Sequence, residues 1–167
     1  MQKQVIIING AGGVGKDFLC ACLRDKYGVR VVSSIDPVKV IAKTCGWDGE
    51  KNARSRKFLS DLKSVICAFS DYLTDYMYAA YTDFLASDDD LIFFHIREPQ
   101  EIAKLAARIP TAHTLLVKTH RPVTLATGNA SDEQTEQYAY HSVFYNDGTP
   151  DEASAAFHQW VLGTFGA

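Results

Sequence analysis

With 167 residues, 47% of them hydrophobic and 22% charged, the chain has the make-up of one globular domain with one sizeable core, and it is too short for two ordinary ones. A net charge of -3 argues against general nucleic-acid coating, because phosphate backbones recruit strongly basic surfaces; it leaves room for a small anion held by a few local cations. No apolar run approaches the roughly 20 residues of a membrane span, and MQKQVIIING is too short in its apolar part to read as a signal peptide. The cysteines Cys20, Cys22, Cys45 and Cys67 form no CxxC pair. Cys20 and Cys22 would lie about 200° apart around a helix, so all four are read as reduced thiols of a cytoplasmic protein.

Val5 to Asn9 reads as a short, continuous apolar strand of the kind buried on both faces of a parallel sheet. A glycine-rich loop follows, then a helix with Phe18, Leu19 and Cys22 inward and Gly28 as its stop. Arg30 to Ser33 is a second strand. Asp36-Pro37 looks like a helix start, with Val38, Ile41, Ala42 and Cys45 inward. From Ala53, the positions Phe58, Leu59, Leu62, Val65, Ile66 and Phe69 keep helical spacing, and a further helix carries Leu73, Tyr76, Met77, Ala80, Tyr81 and Phe84. Ser87 to Asp90 reads as a solvated acidic turn. Leu91 to Ile96 is a third strand, and Pro99 opens a helix with Ile102, Leu105, Ala106 and Ile109 inward.

Thr114 to Val117 and Ser142 to Tyr145 complete the strands. Between them, a polar segment over 118–131 leads to a helix start at Ser131 with Gln134 three residues on. Thr149-Pro150-Asp151-Glu152 repeats that signature before a last helix with Ala153, Ala156, Phe157, Trp160 and Val161 inward. Strands alternating with helices imply a parallel sheet covered on both faces.

The loop reads IIINGAGGVGKDF over residues 6–18. From Gly10 to Lys16 it fits the phosphate-binding pattern G-x-x-x-x-G-K-[ST], with Asp17 in place of the hydroxyl residue. Gly10, Gly12, Gly13 and Gly15 allow successive N–H groups to turn inward as an anion nest, the following helix adds its positive end, and Lys16 reaches the outer phosphates. A merely tight strand-to-helix turn needs neither four glycines nor a lysine. The competing dinucleotide pattern G-x-G-x-x-G lacks an acidic residue at the end of the second strand, where Ser33-Ser34 stands.

GVGKDF with DPVK, a basic R-x-R-K helix start, a strand ending in H-I-R-E-P-x-E, a short GNASDE segment and a final NDGT occur in this order over nearly the whole chain. This succession resembles the deoxynucleoside monophosphate kinase and phosphomevalonate kinase group of P-loop kinases, whose members often carry GKD in the loop. The resemblance implies a three-layer α/β/α P-loop fold on a five-stranded parallel sheet in the order 2-3-1-4-5. It further implies one domain over 1–167, with acceptor-binding helices over about 36–86 and a short lid over about 118–131. ATP and Mg²⁺ are the implied cofactors. They would be held by Gly10, Ala11, Gly12, Gly13, Val14, Gly15, Lys16, Asp17 and Phe18, with Asn146 in the adenine-side turn NDGT, which is equally a good turn with a helix cap. Asp17 is either a magnesium ligand, direct or through water, or a first-turn acid favoured by the helix dipole.

On the acceptor side, Asp36 is a helix cap or orders the acceptor, with Ser34 and Lys39 beside it. Arg54, Arg56 and Lys57 crowd a helix start, where the macrodipole disfavours cations; either an acceptor phosphate offsets this or the turn is simply solvated. Arg97 follows the third strand at the sheet edge where α/β folds bind ligands and can grip phosphate through two parallel hydrogen bonds. His95 stands where the group usually has an aspartate, with Glu98 as a possible substitute. Lys118, His120 and above all Arg121 are the lid cations. The expectation is phosphoryl transfer from ATP to a small phosphorylated acceptor, first a (deoxy)nucleoside monophosphate and second another phosphorylated metabolite, with Lys16, Asp36, Arg97 and Arg121 catalytic. A nucleotide-binding regulatory or sensor protein without turnover is the alternative.

Overall fold

The computed structural model describes residues 2–122 and 134–166. In chain order it contains β1 (Gln4–Asn9), α1 (Lys16–Ala21), β2 (Val29–Ser33), α2 (Asp36–Thr44), α3 (Ala53–Phe69), α4 (Tyr72–Leu85), β3 (Leu91–His95), α5 (Pro99–Arg108), β4 (His113–Lys118), β5 (Ser142–Tyr145) and α6 (Pro150–Phe165). The strands form one parallel sheet in the order β2-β3-β1-β4-β5, as the resemblance implies.

Side chains alternate across a strand, and the core divides accordingly. Ile6 and Ile8 of β1 with Leu91 and Phe93 of β3 pack under Leu19, Cys20 and Leu23 around α1 and under Phe157 and Val161 of α6. Val5 and Ile7 with Ile92 and Phe94 face the other way, onto Met77 and Phe84 of α4 and Ile102 and Leu105 of α5. Two apolar clusters therefore sandwich the sheet. Ile8 pairs with His95 and Ser33 also pairs with His95, so β1, β2 and β3 end at one level. The segments that follow them share one edge.

Several sequence expectations shift. The buried face of α1 and the turn after it is Leu19, Cys20 and Leu23, whereas Phe18 is 42% exposed, because α1 ends at Ala21 and tight turns carry the chain on to β2. Asp36 is the first residue of α2 and Ile35 its cap; the Asp36 carboxylate instead accepts the Ser33 N–H at 3.0 Å. The turn over 87–90 is tied in rather than merely solvated: Asp90 accepts the Gly28 N–H at 2.9 Å and Asp89 pairs with Arg30 at 2.8 Å. On α3, the expected inward residues Val65 and Phe69 are 65% and 89% exposed, and the buried side chains are Ser55 and Lys63. The reason is position: α3 packs on α2 and α4 and lends a polar face to a cleft. Ala156 of α6 is likewise exposed. The helix expected from Ser131 begins outside the described residues, as does the lid beyond residue 122.

Candidate active site

The segment between β1 and α1 is a cradle. Gly10, Gly13 and Gly15 have φ of 146°, 83° and 91°, a region L side chains rarely adopt. A Cβ on Gly10 would stand 2.4 Å from the Val117 carbonyl oxygen of β4, and one on Gly15 2.4 Å from Asn146 Nδ2. The loop thus lies against the neighbouring strand end with no room for side chains at these points. Val14 is buried, and its carbonyl accepts Asn146 Nδ2 at 2.8 Å. The Lys16 ammonium donates to the carbonyls of Gly10 at 2.5 Å and Ala11 at 2.9 Å, which places its charge across the cradle. Gly12, Gly13, Gly15, Lys16 and Asp17 line a cleft of about 740 Å³.

Asn9, which sequence reasoning passed over, organises this region. It is fully buried. Its Oδ1 accepts the Gly10 N–H at 2.7 Å, while its Nδ2 donates to the Arg97 carbonyl at 3.0 Å and to Tyr140 Oη at 2.7 Å. Tyr140 in turn donates to the Thr135 carbonyl at 2.7 Å. One amide therefore joins the loop, the exit of β3 and the segment that leads into β5. A polar residue closing a wholly apolar strand was the available signal.

The opposite wall of the same cleft is built from the segments after β2 and β3 and from α2 and α3. Ser34, Asp36, Lys39, Arg56 and Arg97 all line it. Asp36 stands 3.7 Å from Lys39. Arg54 and Lys57 are exposed and are not among the lining residues; Lys57 pairs with Asp61 at 2.7 Å along the helix. The acceptor-side set thus narrows. Lys63 joins it instead: 7% exposed, it donates to Ser34 Oγ at 2.8 Å and Glu98 Oε2 at 2.5 Å. The face Ser55-Leu59-Lys63, spaced by four, was the missed signal. Since Glu98 already holds an ammonium, it is a poor replacement for a strand-end carboxylate. Six basic and four acidic side chains line the cleft among the described residues, against a chain that is net negative.

His95 lies beneath the loop, with Nδ1 3.5 Å from Asp17 Oδ1 and Nε2 3.6 Å from Cys20 Sγ. Burial pushes its pKa from 6.5 down to about 4, against the pull of Asp17, so the ring is neutral at pH 7. Burial likewise raises the Cys20 thiol far above its ordinary value, which makes it a packing residue rather than a nucleophile. Asp17 itself is 96% exposed in its side chain. Divalent magnesium at a nucleotide site is commonly held by the phosphates with one or two carboxylates, so a lone carboxylate beside the cradle fits that ion.

At the end of β4, Lys118 pairs with Glu136 at 2.8 Å, and His120 Nδ1 lies 2.7 Å from Asp147 while its ring stacks on Tyr145 with centroids 4.8 Å apart. Hydrogen bonds from His120 hold the Asp147 carboxyl down at about 2. Arg121 donates to the carbonyls of Asn146 at 2.8 Å and Gly148 at 3.3 Å. It therefore braces the 146–148 turn and, like Asn146, Gly10, Ala11, Val14 and Phe18, is not among the cleft-lining residues. Asn146 Oδ1 is buried without a hydrogen-bond partner among the described residues.

No protein-family model matches the chain, and no curated protein matches it in sequence. Its fold is shared with solved structures of low identity. A Thermus thermophilus protein is 17% identical over the whole of both chains, with a TM-score of 0.59. A putative kinase from Chloroflexus aurantiacus is 16% identical over 98% of this chain and 97% of its own, with a TM-score of 0.55. A sugar kinase from Janibacter sp. is 14% identical over 95% and 94%, with a TM-score of 0.51. At such identities the likeness concerns the fold alone: a five-stranded parallel sheet in the order 2-3-1-4-5 with helices on both faces.

Proposed function

We propose that the protein transfers the γ-phosphoryl group of ATP to a small phosphorylated acceptor, in the first place a (deoxy)nucleoside monophosphate, as the kinase group it resembles would do. The observation that carries this reading is that the glycine cradle with Lys16 and the cations Lys39, Arg56 and Arg97 line one cleft. A pure nucleotide-binding site needs only the first set. Two anion-binding walls facing each other are what a transfer between two phosphates requires.

In this reading the loop N–H groups and Lys16 hold the donor phosphates, and Asp17 holds the metal. Bound Mg²⁺ supplies charge neutralisation at the phosphates. Arg97 and Arg56 orient the acceptor phosphate, with Lys39 and Asp36 beside it, and Asn9 keeps Arg97 in register with the cradle. Ser34 belongs to the floor through Lys63. Arg121 shapes the adenine side through the turn it braces. Phosphate acceptors are already ionised at neutral pH, so this scheme needs no general base, and the neutral, buried His95 is consistent with that. A cytoplasmic setting belongs to the same reading, supported by four free cysteines.

The test is ATP consumption measured against a panel of nucleoside monophosphates and phosphorylated metabolites with Mg²⁺ present. Turnover with a nucleoside monophosphate at a rate well above ATP alone is expected. Binding of ATP with no turnover for any acceptor would transfer the case to a nucleotide-binding regulatory protein.

A further inference from the structure

We propose that Trp47 is the seat of the acceptor's planar ring, so that the acceptor subsite selects a nucleobase over a bare sugar phosphate. The inference rests on the transferase reading above for the phosphate end, and on separate geometry for the ring end.

Helix α2 is closed by a two-bond capping motif. Gly46, at φ 91°, donates its N–H to the Lys43 carbonyl at 3.0 Å, and Trp47 donates its own to the Ala42 carbonyl at 2.9 Å. In this motif the residue after the glycine commonly folds onto the last turn of its own helix. Trp47 instead lines the cleft, half-buried. Its indole Nε1 donates to the Glu50 carbonyl at 3.2 Å. The backbone is thus fixed by the cap and the ring by its polar edge, and the half-buried side chain presents part of its surface to the cleft.

Among the described residues that line the cleft, the other ring is His95, next to Asp17 on the cradle side. The acceptor half therefore offers one aromatic plane among the cations Lys39, Lys51 and Arg56. A molecule suited to it carries a phosphate and a flat, weakly polar ring. Polyhydroxy acceptors are held best by carboxylates that receive several hydroxyl protons, and each acceptor-side carboxylate here already has a partner within the protein. Asp36 accepts the Ser33 N–H, Glu98 accepts Lys63, and Glu50 accepts Asn52 Nδ2 at 3.2 Å. A base stacking on an aromatic face needs none of them.

The experiment uses the full chain carrying Trp160→Phe. Trp47 is then the sole tryptophan of the two in the sequence, and its emission is titrated with nucleoside monophosphates and with ribose 5-phosphate, without ATP. Saturable quenching by at least one nucleoside monophosphate, and none by ribose 5-phosphate, is expected. In parallel, and with Trp160 intact, Trp47→Leu should raise the KM for the nucleoside monophosphate by about tenfold or more while Trp47→Tyr recovers most of it, the effect falling on KM and not on the Kd for ATP. Three results overturn the proposal: a nucleoside monophosphate that binds by calorimetry without changing emission, equal quenching by ribose 5-phosphate, or no binding of any nucleoside monophosphate. Absence of phosphoryl transfer alone overturns only the transferase reading, because the quench titration does not depend on turnover.

Discussion

Two lysines in one cleft do different work because their neighbours differ. Lys16 donates to the backbone carbonyls of Gly10 and Ala11, on the glycine loop itself. Lys63 meets Glu98, and its charge is spent inside the protein, where removal of one partner of a buried pair strands the other. Lys16→Ala is accordingly expected to weaken ATP binding by about 1.5–3 kcal/mol, the range for a hydrogen bond to a charged group; calorimetry giving unchanged affinity would remove the phosphate assignment. Asp17 offers a sharper case. If its carboxylate holds the metal, Asp17→Asn lowers ATP affinity in the presence of Mg²⁺ and leaves or improves metal-free binding, since a negative neighbour of the phosphates has gone. The ratio of the two affinities is the readout, and an identical ratio in both variants assigns Asp17 to the helix start alone.

At the scale of elements, capping chemistry was the most readable feature. Thr149 accepts from the Glu152 N–H while Glu152 reaches back to the Thr149 N–H at 2.9 Å, as the sequence T-P-D-E predicts. Helix α6 so fixed carries Trp160 and Phe165 onto His113 of β4, with ring centroids 5.7 and 5.4 Å away. Burial, with His141 alongside, holds the pKa of His113 below its ordinary 6.5. In the window beneath 6.5 the unfolded chain therefore binds more protons than the folded one. The stabilisation is complete above 6.5 and declines as pH falls through it. The protection of the α6 amides, taken relative to their intrinsic exchange rates at each pH, should fall as pH drops through 6.5, and His113→Phe should flatten that dependence. A variant with the same pH slope as the parent would show that His113 does not report on α6 docking. The α3 helix was the least readable element. Its apolar spacing suggested Val65 and Phe69 inward, yet its packing surface is the polar stripe that borders the cleft.

At the scale of the whole molecule, the cleft gathers residues from the segments 8–17, 31–39, 47–63 and 95–98, which the strand order brings to one edge. The donor and acceptor walls are separate pieces of chain, so they respond separately to substitution. Arg56→Ala is expected to raise the acceptor KM by about tenfold or more, as loss of a charge-assisted contact implies, and to leave the ATP Kd within about twofold. Equal losses on both would mean that Arg56 supports the fold of the cleft rather than the acceptor.

The sequence by itself determined the alternation of strands and helices, the glycine cradle and the lysine that closes it. These rest on local periodicity, on turn chemistry and on a motif whose residues are neighbours along the chain. It also named Arg56, because a cation at a helix start is anomalous locally, and Arg97, because it follows a strand at the edge where α/β sheets bind ligands. Tertiary structure alone decided which of the neighbouring cations point inward. Arg54, Arg56 and Lys57 differ only by rotation about a helix axis, and the packing of α3 on α2 and α4 sets that rotation. The same is true of Asn9, Lys63 and Trp47. Their partners lie from 1 to 131 positions away, and a hydrogen bond closed by folding leaves no periodic mark on the residues that make it.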